Sequence, residues 1–239
     1  MGDNTEVKER GCVIVANGRF PSAELPLRLL KEAKTIIACD GAVKTLYEKG
    51  IHPDAIVGDL DSIPADLRKR YADRIHHVED QEINDLSKSI RFAHAQGYRE
   101  VLILGATGLR EDHTLGNISL LMEYAPLFKR VEMLSDYGLF TPILETTTFA
   151  SYPGQQISIF VLYPEGEIST EGLRWPICQR KLTSWWQGTQ RGFRKSIYRH
   201  PLPRLPGDHL QGSSPYKKIV LKSITTFQDR YTPQLYMLK

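Results

Sequence analysis

The chain has 239 residues, of which 41% are hydrophobic and 25% charged, an ordinary balance for a folded globular protein of one large or two small domains. It contains no apolar run near the roughly 20 residues that span a bilayer, and Met1–Arg10 is polar and charged, which predicts a cytoplasmic protein without membrane attachment. Three widely spaced cysteines, Cys12, Cys39 and Cys178, form neither a disulfide framework nor a zinc site and read as small buried hydrophobes.

In chain order, Cys12–Ala16 reads as a strand, Leu25–Ala33 as a helix, Thr35–Cys39 as a strand and Val43–Lys49 as a helix. Ala55–Val57 begins a third strand, and Ala65–Ala72 is a helix entered through Pro64. Ile75–Val78 is a short strand, Leu86–Ala95 a helix with Leu86, Ile90 and Ala93 on one face, Val101–Leu104 an unbroken apolar strand, and His113–Tyr124 a helix. Alternating strands and helices of this length predict βαβ units around a parallel, Rossmann-like sheet covered on both faces. This α/β domain is expected over residues 1–126.

The pattern changes at Ala125-Pro126. Val131–Leu134, Gly138–Leu144, Thr146–Ala150 and Gln156–Tyr163 read as strands, separated by turns at Asp136-Tyr137-Gly138, Pro153-Gly154 and Pro164-Glu165-Gly166. A small antiparallel, sandwich-like β domain is expected over residues 127–188. From Gln190 onward ten Lys or Arg stand against two Asp, whereas the chain before it carries more acidic than basic residues. Residues 190–215 are rich in Arg, Pro, Gly and Ser, and only Lys218–Thr226 looks strand-like. Residues 189–239 are therefore read as an atypical basic tail, partly disordered.

Ligands of open parallel sheets bind beyond the carboxyl ends of the strands. There the sequence places Asp40-Gly41-Ala42, then Gly58-Asp59-Leu60-Asp61-Ser62, then Gln81-Glu82-Ile83-Asn84-Asp85, then Gly105-Ala106-Thr107-Gly108-Leu109-Arg110-Glu111-Asp112-His113. In an extended segment Asp59 and Asp61 share one side, where two carboxylates repel unless a cation lies between them. Mg²⁺, which takes one or two carboxylates plus waters and phosphate oxygens, suits the pair; a turn bonded to backbone amides is the alternative. The glycine-containing loop can offer N–H groups to a phosphate, with Arg110 as a further contact. It can equally be a tight strand-to-helix connection with Asp112 as N-cap, and Asn84 or Asp85 can cap the helix that follows them.

In this order and spacing the four segments resemble the thiamin pyrophosphokinase family over about Cys12–Gly188, with Ser135–Gly138 and Gly172–Pro176 similar to its β-domain segments. Leu109 stands where many members have glycine. The resemblance implies transfer of a diphosphate from ATP to the hydroxyethyl oxygen of thiamin, with AMP as the other product, in a homodimer whose active site is shared between chains. It assigns Mg²⁺ to Asp59, Asp61 and Asp85, and ATP to Asp40, Gly41, Gly105, Ala106, Thr107, Gly108, Arg110 and His113. Gln81, Asn84 and Trp175 fall to thiamin, with Trp175 stacking on it from the partner chain rather than packing in a core, and Asp61, Asp85, Arg110 and Asp112 carry the chemistry. Either Asp85 or Asp112 takes the alcohol proton. The rival readings are a non-catalytic nucleotide-binding module and a metal-dependent phosphohydrolase. The family continues past Gly188 with strands that close the β domain, whereas Gln190 onward shows no such alternation; a shifted reading frame is the expected cause, and nucleic-acid binding by the basic tail the lesser reading.

Overall fold

The computed structural model describes residues 11–152, 154–192, 217–224 and 234–238. Met1–Arg10, Pro153 of the expected turn and most of the Arg- and Pro-rich stretch lie outside the described residues. The chain divides into two compact units, Met1–Phe140 and Thr141–Lys239.

In the first unit the chain runs β1 (Cys12–Val15), α1 (Glu24–Glu32), β2 (Ile36–Cys39), α2 (Ala42–Glu48), β3 (Ala55–Gly58), α3 (Ala65–Arg70), β4 (Ile75–His77), α4 (Asp85–Ala95), β5 (Glu100–Leu104), α5 (Glu111–Tyr124), β6 (Arg130–Ser135) and β7 (Gly138–Ile143). The strands lie in the order β4-β3-β2-β1-β5-β6-β7, parallel as far as β6, with β7 antiparallel to β6 through Met133↔Phe140. All four residues of β1, β2 and β3 are buried, as strands covered on both faces require. One apolar cluster joins Val13, Val15, Ile36, Ala38 and Ile56 to Leu30 of α1, Val43 and Leu46 of α2 and Leu67 of α3.

The chain leaves β1 towards β2 on one side and adds β5 on the other, so the crevice beyond β1 and β5 is the topological switch point. Backbone bonds close its floor: Gly18 N–H donates to the Gly105 carbonyl at 2.6 Å and Arg19 N–H to that of Thr107 at 2.9 Å. Only glycine fits at 105, where φ is +66° and a Cβ would lie 2.6 Å from the Ala16 carbonyl oxygen. Helix α1 tolerates Pro26 because it lies in the first turn, where an N–H has no intrahelical partner.

The second unit contains β8 (Thr147–Ser151), β9 (Ile157–Val161), β10 (Glu167–Glu171), β11 (Lys217–Ile224) and β12 (Gln234–Leu238). Strand β11 lies between β10 and β8, antiparallel to both, and β12 pairs antiparallel with β9. Ile157, Ile159 and Val161 of β9 share an apolar cluster with Ile168 of β10, Leu173, Ile177 and Leu182. The sequence reading of a last segment without closing strands is thereby corrected: β11 appears where Lys218–Thr226 was expected, and β12 and β10 were not foreseen. Cys12 and Cys39 are buried, but Cys178 is exposed, against expectation. Among the described residues no helix is long and apolar enough to cross a membrane.

Candidate active site

Strand β2 ends at Cys39, and the next residue, Asp40, is fully buried. Glycines pack tightly around it: a Cβ at Gly58 would lie 2.5 Å from the Asp40 Cβ, and one at the adjoining Gly41 would lie 2.2 Å from the Asn17 amide nitrogen. The Ser62 N–H donates to Asp40 Oδ2 at 3.4 Å, while Oδ1 is buried without a hydrogen-bond partner. An unpaired buried carboxylate oxygen is costly, so a site that keeps one has a reason outside the apo fold.

Beyond β3, the oxygens of Asp59 and Asp61 converge with Asp40 so that one ligand atom from each lies within 4.8 Å of the others. The route differs from the extended segment expected. Leu60 adopts a left-handed φ of +71°, its carbonyl accepts from the Arg68 guanidinium, and the Asp61 N–H donates to Asp59 Oδ1 at 3.3 Å. The turn and the convergence of carboxylates, alternatives in sequence terms, are both present.

Burial pushes the Asp40 carboxyl up to about 6; the Ser62 amide opposes this, and the nearby Asp59 and Asp85 add to it. The Asp61 amide, with help from Gln81, Asp40 and Lys88, holds Asp59 down at about 2. Gln81 Nε2 donates to Asp59 Oδ2 at 3.1 Å.

Asp85 begins α4, whose N-cap is Asn84: its Oδ1 accepts from the Ser87 N–H at 2.8 Å, so of the two capping candidates Asn84 is the cap. Asp85 is not one of the three converging carboxylates. It binds instead to Lys88, whose Nζ lies 3.1 Å from Asp85 Oδ1 and 3.5 Å from Asp59 Oδ2. The Lys88 side chain is only 2% exposed. Burial works against its charge, but the two carboxylates outweigh burial and hold its pKa above the ordinary lysine value.

The Gly105–Gly108 loop hangs from α5. Asn117 Nδ2 donates to the Ala106 carbonyl at 2.8 Å, and its Oδ1 accepts from Asn84 Nδ2 at 3.1 Å, which joins this loop to the start of α4. Gly108 N–H donates to Thr114 Oγ1 at 3.1 Å. Helix α5 starts at Glu111, so Asp112 sits in its first turn and is not the N-cap; Arg110 is, and its side chain makes no capping bond to the helix start. Arg110 and Asp112 form an exposed two-point pair at 3.1 and 2.5 Å, whose hydrogen bonds hold Asp112 at about 2. His113 is exposed at the same helix start.

Trp175 belongs to the second unit and is 55% exposed with the Arg174 guanidinium 5.2 Å from its ring centre, so it is not a core residue. Sequence reasoning missed Lys88, Asn117 and the full burial of Asp40. For Lys88 the signal was present: an Asp-x-x-Lys spacing in the first turn of a helix, which brings the two side chains to one face.

Comparison with known proteins agrees with this geometry. Residues 27–134 match the thiamin pyrophosphokinase catalytic domain, and residues 138–191 match the thiamin pyrophosphokinase substrate-binding domain. Thiamine pyrophosphokinase 1 of Oryza sativa subsp. japonica is 29% identical over 194 residues, 68% of this chain and 72% of that protein. Thiamine pyrophosphokinase 1 of Arabidopsis thaliana is 27% identical over 211 residues, 75% and 78%. In fold, thiamin pyrophosphokinase from Candida albicans matches with a TM-score of 0.72 at 16% identity over 97% of this chain and 89% of that one. Thiamine pyrophosphokinase from Bacillus subtilis matches with 0.69 at 17% over 96% and 98%. Both domain models match in the order of the two units, and the acidic rim lies inside the first match; the chain belongs to the thiamin pyrophosphokinase family.

Proposed function

We infer that this chain is a thiamin pyrophosphokinase, which transfers a diphosphate group from ATP to the hydroxyethyl oxygen of thiamin and releases AMP. The observation that carries this reading beyond family membership is the convergence of Asp40, Asp59 and Asp61 at the strand ends, with one buried carboxylate oxygen left unpartnered. Three hard oxygen donors fit Mg²⁺, which Asp59 and Asp61 would hold with Asp40 beneath them. Bound there, the ion would neutralise charge on the triphosphate. Asp85, expected from sequence as the third ligand, is joined to Asp59 through Lys88.

The chain's own groups position the reactants. The Gly105–Gly108 loop, together with Asp40-Gly41 and His113, receives ATP, and Arg110 takes a phosphate in a bidentate grip once it exchanges Asp112 for it. Gln81 and Asn84 orient thiamin, and Trp175 of a second copy stacks on it in a cytoplasmic homodimer. The alcohol oxygen attacks the β-phosphorus in line, its O–P bond forms, the bridge to the α-phosphate breaks, and AMP leaves with that oxygen. No side-chain nucleophile is needed, because positioning and charge stabilisation carry such a transfer. Asp112, freed when Arg110 turns to a phosphate, and Asp85 are the two candidates for the alcohol proton.

An assay of the whole chain with ATP, thiamin and Mg²⁺ tests the reading. AMP and thiamin diphosphate in equal amounts support it. ADP and phosphate without thiamin dependence would identify a phosphohydrolase, and nucleotide binding without turnover a binding module.

A further inference from the structure

Four carboxylates, Asp40, Asp59, Asp61 and Asp85, lie along one rim with a single buried ammonium among them. So many carboxylates are what a two-metal site uses, where a shared carboxylate bridges two ions about 3.5–4 Å apart. Asp59 is in the bridging position. Its oxygens face the converging set of Asp40 and Asp61 on one hand, and on the other Lys88, which it shares with Asp85.

We propose that the Lys88 ammonium stands in for a second divalent ion, so that this site takes one metal on the Asp40–Asp59–Asp61 side and none between Asp59 and Asp85. The inference rests on the cation-site reading above. Three features carry it. The Lys88 side chain is 2% exposed, so its charge is fixed in place and not free to swing into solvent. Its contacts of 3.1 and 3.5 Å fill the gap that an ion with oxygen contacts near 2.1 Å would need. Asp59 Oδ2, the oxygen that faces Lys88, also accepts from Gln81 Nε2 at 3.1 Å, which holds that carboxylate in its orientation. Lys88 is thus a positioning residue: it aligns Asp59 and Asp85 and sets the metal count.

The test is a Mn²⁺ titration of the full chain without nucleotide, read by electron paramagnetic resonance. The wild type is expected to bind one ion. Lys88→Met is expected to bind two, the first about tenfold more tightly because a neighbouring positive charge is gone. Lys88→Arg is expected to restore one. Should Lys88→Met fail to fold, Asp85→Asn decides: one ion is expected to remain, whereas Asp59→Asn is expected to bind none. Two ions on the wild type, one ion of unchanged affinity on a folded Lys88→Met, or loss of binding in Asp85→Asn would each overturn the proposal while leaving a cation site in place. Absence of Mn²⁺ binding to the wild type would overturn the cation-site reading and this inference together.

Discussion

Asp136 holds Ser22 across 114 residues of sequence: its carboxylate accepts the Ser22 N–H at 2.9 and 3.0 Å and the Ser22 hydroxyl at 2.5 Å. It also takes the Ala23 N–H at 3.0 Å. Ala23 is the N-cap of α1 and has no side chain able to cap it, so the β6–β7 turn supplies the anion that the helix start wants. Asp136→Ala is expected to cost about 1–2 kcal/mol in denaturant unfolding. Partial burial works against its charge, but bonds from Ser22 and Ala23 hold the Asp136 carboxyl below its usual range. A lowered native pKa gives stability that is present above the ordinary carboxylate range and lost as pH falls through the native value. The difference between wild type and Asp136→Ala should therefore narrow in acid; a constant gap would argue for lost packing instead.

Asp61 is exposed and its side chain accepts one bond, from Ser62 Oγ at 2.8 Å. Asp61→Ala is expected to change stability by no more than about 0.5 kcal/mol. The same substitution should lower kcat by at least about a hundredfold, since a ligand of the proposed charge-neutralising ion would be gone. An unchanged rate would remove Asp61 from the site.

Asp40 makes the opposite trade. Its native pKa of about 6 lies above the unfolded value near 4, so its contribution to stability is full below pH 4 and lost as pH rises through 6. Asp40→Asn is expected to be more stable than wild type at pH 7, by an amount on the order of 2 kcal/mol, and equal to it below pH 4. Millimolar Mg²⁺ should raise the Tm of the wild type and leave that of the variant unmoved. Equal melting at pH 7 without metal would show that the buried carboxylate is not strained.

Leu109 is 67% exposed at a φ of +69°. A left-handed non-glycine residue costs roughly 1–2 kcal/mol, partly offset by the extra freedom glycine has when unfolded. Leu109→Gly is expected to gain about 0.5–1 kcal/mol, measured by thermal melting. Leu60, with a similar φ but packed against the core cluster, should gain nothing from the same change.

The parallel sheet was legible because β1, β2, β3 and β5 are nearly continuous apolar runs, and a strand that must be covered twice announces itself. Three of the four site segments were legible for the same reason, since they follow β2, β3 and β5; the fourth, Gln81–Asp85, follows the short strand β4. What escaped the sequence depends on partners distant along the chain. Strand β10, Glu-Ile-Ser-Thr-Glu, is too polar to stand out and is recognisable only by its pairing with β11. Lys88 sits among Leu86, Ile90 and Ala93, all buried, where a charged residue looks like a break in the pattern until Asp59 is placed beside it. The close packing around Asp40 depends on Gly58 at the end of the next strand, where a Cβ would lie 2.5 Å from the Asp40 Cβ.

Strand β11 is the middle of its sheet yet arrives long after both of its neighbours, β8 and β10. During synthesis on the ribosome, β8 and β10 must therefore wait with bare edges until residues 217–224 emerge. The first unit has no such delay, since its parallel strands β1–β6 are all made before Thr141. The nascent chain thus carries a finished acidic rim while its second half still offers open strands to chaperones or to other nascent copies.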